Sequence, residues 1–139
     1  MGFVYADITI ASSFDVTAAK KGLVAESDVK KMCVKALVDT GAMTLIINDE
    51  IAAQLDLEVK DRVTVELADG SRCKRNLVGP IDIYFKNRQT SCLALVIPGA
   101  NEVLLGVIPI EGMDVIIDPI LQQLALPPER PYHAGMKVK

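Results

Sequence analysis

One short stretch of the chain places a chemically active group where an ordinary strand would have none. Residues 36–42 read Ala-Leu-Val-Asp-Thr-Gly-Ala, so the ionisable Asp39 follows three apolar residues and precedes a hydroxyl and a glycine. A lone carboxylate entering apolar surroundings costs several kcal/mol unless hydrogen bonds or a proton relieve it. Asp39 is therefore either the corner of a polar turn, a role that Asp and Gly fill readily, or a working acid or base. Other chemistry is scarce. The one histidine, His133, lies in a proline-rich tail that gives a general base no rigid support. Cys33, Cys73 and Cys92 are odd in number and have no C-x-x-C spacing, so neither a disulfide framework nor a zinc site is indicated. They are expected to be buried, reduced packing residues. Neither G-x-x-x-x-G-K-S/T nor G-x-G-x-x-G occurs, which excludes the common phosphate-cradling loops.

The elements that must position Asp39 read mainly as strands. Phe3 to Ile10 alternates, with Val4, Ala6, Ile8 and Ile10 on one face. Residues 13–22 have an early cap, good helix formers and a final glycine, a short helix. Val29 to Val38 returns to strand and delivers Asp39 at its end. Thr44 to Ile47 is β-branched and apolar, and Asn48-Asp49-Glu50 then supplies a cap and an acidic first turn for a helix.

From Val63 the pattern is β again. Asp69-Gly70 suits a tight turn with positive φ at both centres. A second hairpin folds about Lys86-Asn87-Arg88-Gln89. Val103 to Gly106, a helical candidate from Pro109 to Met113, a strand from Val115 to Ile117, the Asp118-Pro119 turn and an apolar stretch from Leu121 to Leu126 complete the pattern. Many short strands, frequent turns, few helices and no long parallel crossovers predict a mostly β fold, a closed barrel with one or two short helices. Residues 1–126 read as one domain and 127–139 as a Pro-rich, flexible tail.

Composition narrows the partners. The chain has 139 residues, half of them apolar, enough for one ordinary core. Net charge is only -3, with no long run of one sign, and aromatic residues make up 4%, so neither a basic footprint nor a base-stacking platform for nucleic acid is present. Asp7 interrupts the first apolar stretch, which fits neither a signal peptide nor a membrane span; a cytoplasmic protein without membrane contact is the expectation.

The order of the motifs carries a resemblance. Ala-Leu-Val-Asp-Thr-Gly-Ala, then Leu67-Ala68-Asp69-Gly70, then Leu104-Leu105-Gly106-Val107-Ile108-Pro109 resembles the retropepsin-like aspartic proteases, the single-domain clan that includes retroviral proteases, and looks closest to its prokaryotic members. The resemblance runs from about Phe3 to Leu126. It implies the acid-protease barrel, no cofactor and no metal. It would make Asp39 the catalytic carboxylate, Thr40 a hydroxyl bonding across to a partner loop, Gly41 a backbone donor close to the carboxylate, and Ala42 a wall of the substrate cleft. Ala68, Asp69, Gly70 and Ser71 would tip a flap over a peptide or protein substrate, and Leu104, Leu105 and Gly106 would pack beneath the active-site loop.

Aspartic proteases activate water with two carboxylates sharing one proton, yet this chain has a single Asp-Thr-Gly. The resemblance therefore implies a homodimer pairing two copies of Asp39, with interface area from the apolar chain ends, Val4 to Ile10 or Leu121 to Leu126. Met43 stands where retroviral relatives usually carry an acid, and the hairpin at Gly70 has the cations Arg72, Lys74 and Arg75 in place of further glycines. Three readings follow: a homodimeric aspartic endopeptidase; the same fold and dimer used to bind peptides with weak or no cleavage; and an unrelated small barrel in which Asp39 only caps a turn.

Overall fold

Alternation of side chains forces the first segment into a strand with one dry face. In β1 (Tyr5–Ser12) of the computed structural model, which describes residues 2–138, Ala6, Ile8 and Ile10 are buried while Tyr5 and Asp7 face outward. The chain continues through α1 (Ser13–Lys20) and a 3-10 turn at Glu26–Asp28, then returns antiparallel as β2 (Lys31–Val38). There follow β3 (Leu45–Ile47), α2 (Asp49–Gln54), β4 (Val59–Glu66), β5 (Arg72–Phe85), β6 (Arg88–Val96), β7 (Val103–Leu105), α3 (Val107–Met113), β8 (Ile116–Asp118) and β9 (Gln123–Ala125). Asn48 caps α2 as its residue type predicts, its Oδ1 accepting the Ile51 N–H at 2.9 Å.

The strands join in the order β1-β2-β7-β3-β6-β5, and β5 pairs back onto β1, closing a six-stranded barrel. Closure gives Thr9–Ala11 of β1 a strand on each side, while β4 extends from β5 as the sheet's edge. Ile10, Leu45, Ile47, Ile81, Ile83 and Leu105 are completely buried inside the barrel. Each such side chain contributes about 1.5–3 kcal/mol of transfer free energy. Two pairs, β2 with β7 and β3 with β6, are parallel. Their crossovers are made through whole hairpins and not through a covering helix, which is why no βαβ pattern marks them in the sequence. α1 packs Val16 with Ala11 and Val29 into a small second core.

β5 is one strand of 14 residues shared by both hairpins, with a register shift between Val78 and Ile81 beside Gly79-Pro80. The second hairpin turns on Lys86-Asn87 alone, because Phe85 and Arg88 already pair. The cysteines depart from expectation: all three are unpaired, but Cys33 is exposed on the outer face of β2, and Cys73 and Cys92 are half-buried. At Cys92 burial pushes the thiol pKa up. No helix among the described residues is long and apolar enough to cross a membrane.

Two polar clusters tie outer elements to the barrel. Asp82, buried in β5, accepts hydrogen bonds from the hydroxyls of Ser13, Ser91 (2.6 Å) and Tyr84 (3.3 Å), anchoring α1 to β5 and β6. The Ser13 hydroxyl is used on Asp82, and the N-cap residue of α1 is Ser12, whose side chain makes no capping bond. At the other end, Arg130 grips Asp114 with Nε at 2.6 Å and a second nitrogen at 2.9 Å, and Gly135 N–H adds a third bond at 2.8 Å. The buried Arg88 guanidinium donates to the Asp114 and Arg130 carbonyls. Asn87 bonds the Pro131 carbonyl at 2.9 Å. Much of the segment expected to be a flexible tail is thus bonded to the barrel, by contacts between residues too far apart in sequence to show as a pattern.

The Arg130 hydrogen bonds, then the Gly135 N–H, hold the Asp114 carboxyl well below the ordinary carboxylate range. Its folded pKa is depressed, so its stabilisation is complete above the unfolded value and is lost as pH falls through the folded one. Asp114→Asn keeps the left-handed backbone that this position adopts. The stability difference between wild type and Asp114→Asn, measured by urea unfolding, is expected to be largest near neutral pH and to shrink below about pH 4.

Candidate active site

β2 ends at Val38, and the next residue leaves the sheet while staying bonded to it. The Asp39 N–H donates to the Leu105 carbonyl at 2.9 Å, and the Asp39 carbonyl accepts the Ala42 N–H at 3.1 Å, closing a turn. Within that turn the Gly41 N–H donates to Asp39 Oδ1 at 2.9 Å. The carboxylate is half-buried, so one backbone donor and partial contact with solvent meet its desolvation cost. Thr40 is exposed, and its hydroxyl makes no side-chain hydrogen bond among the described residues; Ala42 is buried.

β7 lies between the strands on either side of this loop. Leu104 and Leu105 pair in parallel with Leu37 and Val38 of β2, and antiparallel with Ile46 and Leu45 of β3. The next residue, Gly106, is pressed against the loop: a Cβ there would lie 2.5 Å from the Ala42 carbonyl oxygen and closer still to that of Thr44. The chain then bonds upward, Val107 N–H to the Ala42 carbonyl at 2.9 Å and Ile108 N–H to that of Met43 at 2.8 Å. Leu104, Leu105 and Gly106 thus form the seat of the Asp39 loop.

The β4–β5 hairpin rises beside this seat. Its turn is closed by Gly70 N–H to the Leu67 carbonyl at 2.9 Å and Leu67 N–H to that of Ser71 at 2.8 Å. Only Gly70 takes a positive φ, +85°, so the tip is a three-residue loop and not the two-residue turn with positive φ at Asp69 that the dipeptide suggested. The Asp69 carboxylate folds back onto the Ser71 hydroxyl (2.5 Å) and N–H (2.9 Å), which hold its pKa below the ordinary value. Asp69 stabilises its own turn.

Between loop and hairpin lies a cleft of about 540 Å³. Asp39, Gly41 and Ala42 form one wall, Glu66, Leu67 and Ala68 the facing one, and Ile46 and Leu104 also line it. Residues 25–109, more than half of the chain, match the sequence model of the family described as gag-polyprotein putative aspartyl protease. The chain belongs to this aspartyl protease family. No curated protein is significantly similar to it.

The match to the aspartyl protease family spans the Asp39 loop, the hairpin and β7, and omits β1, α1 and the β8–β9 hairpin. Of the residues singled out from sequence, Asp39, Gly41, Ala42, Ala68 and Leu104 surround one space. Asp69, Gly70 and Ser71 form the hairpin tip outside its lining, Leu105 and Gly106 lie beneath, and Thr40 stands clear of it. Sequence reading missed the third wall, Ile97 with Ala100, Asn101 and Glu102. α2 positions it: Asn48 Nδ2 donates to the Ala100 carbonyl at 3.3 Å, and Asp49 Oδ1 accepts the Gly99 N–H at 3.1 Å. Tyr5 was missed as well. Its hydroxyl donates to Glu102 Oε1 at 2.7 Å, and that bond raises the phenol pKa.

Gly106→Ala puts a methyl group where two carbonyl oxygens already stand, so the loop must shift. A loss of about 3 kcal/mol is expected, read as a lower urea midpoint with an unchanged slope. A variant as stable as wild type contradicts the seat described here.

Proposed function

We propose that the protein is a homodimeric aspartic endopeptidase in which the Asp39 carboxylates of two chains meet across a two-fold axis. The observation that carries this reading is the half-buried Asp39 carboxylate, braced by the Gly41 N–H and opening into a cleft that a hairpin overhangs. Two carboxylates about 3 Å apart do not both ionise. The ionised one takes a proton from water, whose oxygen attacks the peptide carbonyl carbon while the other carboxyl protonates the carbonyl oxygen. Collapse of the tetrahedral intermediate breaks the C–N bond, with the departing amine taking up a proton. One Asp-Thr-Gly per chain makes the cleft half of such a site, and the simplest assembly of identical halves is isologous. The exposed Thr40 hydroxyl is available to bond across the axis.

The fold bears on where that axis lies. Within β1, Thr9–Ala11 is paired on both sides, whereas Tyr5–Ile8 pairs with β2 alone. The β8–β9 hairpin is a separate two-stranded sheet whose connection exposes Ile120 (89%) and Leu121 (64%). Its Gln122 side chain approaches Gly2, and Val4 accepts the Val38 N–H, so the hairpin sits at the Asp39 end of the barrel. This apolar tip is the interface that the reading favours.

Asp39→Asn keeps the shape and cannot serve as the ionised base. It is expected to melt no lower than wild type and to cleave an unfolded protein at a rate at least about a thousandfold lower, following the loss typical of an essential base. Excess Asp39→Asn mixed with wild type should suppress activity through heterodimers, and dilution should lower specific activity. The pH profile should be a bell on the acid side of neutrality that belongs to the pair. A monomer by sedimentation with full activity at every dilution refutes the proposal.

A further inference from the structure

The charged residues that line the cleft are all acidic. Asp39, Glu66 and Glu102 line it, and no lysine, arginine or histidine does. None of the three is in an ion pair among the described residues, where the salt bridges fall elsewhere. We propose that the cleft selects a peptide carrying a lysine or arginine side chain next to the scissile bond, with Glu102 as the principal specificity-determining residue. This rests on the endopeptidase reading of Asp39, and it is the cavity at Asp39 that defines the site, not the acids themselves.

Glu102 is well placed for the role. It immediately precedes β7, which is clamped between β2 and β3, so its backbone is fixed relative to Asp39. The Tyr5 hydroxyl holds Oε1 at 2.7 Å, orienting the carboxylate without neutralising it. The walls between the acids are apolar, Ile46, Ile97 and Leu104. A long aliphatic stem ending in a cation matches that layout: the methylenes lie on the apolar wall and the charge reaches the carboxylate. A norleucine side chain would bring the same stem but leave Glu102 partly desolvated and unpaired, and a glutamate would add like-charge repulsion.

Two nearby cations qualify the division of labour. Arg72 is the cross-strand neighbour of Glu66, so the Glu66 charge is partly met within the hairpin and plays a supporting role. Lys35 rests over the Tyr5 ring, 5.5 Å from its centre, and forms no salt bridge with Glu102.

Two assays test this. An unfolded carrier protein is digested by wild type and by Glu102→Gln, and the cleaved bonds are mapped by mass spectrometry. Dye-labelled alanine octapeptides with one central lysine, norleucine or glutamate are titrated against Asp39→Asn and against Asp39→Asn/Glu102→Gln by fluorescence anisotropy. Lysine or arginine is expected beside the cleaved bond, and the lysine peptide should bind roughly fivefold or more tightly than the norleucine one. Glu102→Gln, which keeps an acceptor for Tyr5, should bring that ratio close to one. Cleavage or binding with no cationic preference overturns the selection and leaves the endopeptidase reading standing. No cleavage by wild type, with the lysine preference present in Asp39→Asn and lost with Glu102→Gln, upholds the selection and sinks the endopeptidase reading.

Discussion

The structure around Asp39 depends on the lack of a side chain at Gly106. Because nothing projects there, β7 can end directly beneath the Asp39 loop, with the Ala42 and Thr44 carbonyl oxygens occupying the space a Cβ would need. That contact lets Val107 and Ile108 donate to the loop from below while Leu105 accepts the Asp39 N–H. The loop is therefore bonded at both ends to one short segment, and the segment is gripped by the strands entering and leaving the loop. A carboxylate carried on an ordinary surface turn would be free to rotate into water. Here the backbone sets its direction, which is the pre-organisation that the proposed acid–base role requires.

The same constraint reaches beyond the loop. α3 begins at Val107, immediately after the seat, and is capped by Asp114, which Arg130 and the Gly135 N–H hold. A segment whose composition suggests disorder thus braces the helix that supports the loop. On the other side, α2 holds the residues after Val96 through Asn48 and Asp49, so the third wall of the cleft also rests on an element that follows the loop. Loop, hairpin and wall are separate in sequence and share the barrel as a common frame.

What could be read from the sequence follows from range. Ala36 to Ala42, Leu67 to Gly70 and Leu104 to Pro109 are legible because each is a local arrangement of residue types, and the strands are legible because alternation is local too. Ring closure is not: the pairing of Ser12 with Ile81 links distant positions that nothing in either stretch announces. The Asp114–Arg130 clasp is hidden for the same reason. Asp69-Gly70 signalled a turn correctly, yet the side chain of Ser71 decided its form by capturing the aspartate, a choice the dipeptide alone does not encode. Glu102 gave no signal because an isolated acid ahead of an apolar strand is ordinary; it gains meaning only when β7 brings it beside Asp39.

The family match ends at residue 109, short of the β8–β9 hairpin, and that boundary bears on assembly. The shared part is the machinery that aims one carboxylate: loop, hairpin and seat. In the proposed dimer, the meeting of two such carboxylates is left to the chain ends, which are under a different constraint. The barrel sheet keeps open edges at β4, which pairs with β5 alone, and along Tyr5–Ile8, so in the proposed dimer a second copy meets one of these, a smooth side or an appended element. The β8–β9 hairpin supplies such an element, with outer edges that carry no strand and two large apolar residues in contact with solvent. Exposed edges of this kind are a liability unless they are covered. In the proposed dimer, covering them and completing the site are a single event, so the chain that is least comfortable alone is also the one that lacks its second carboxylate.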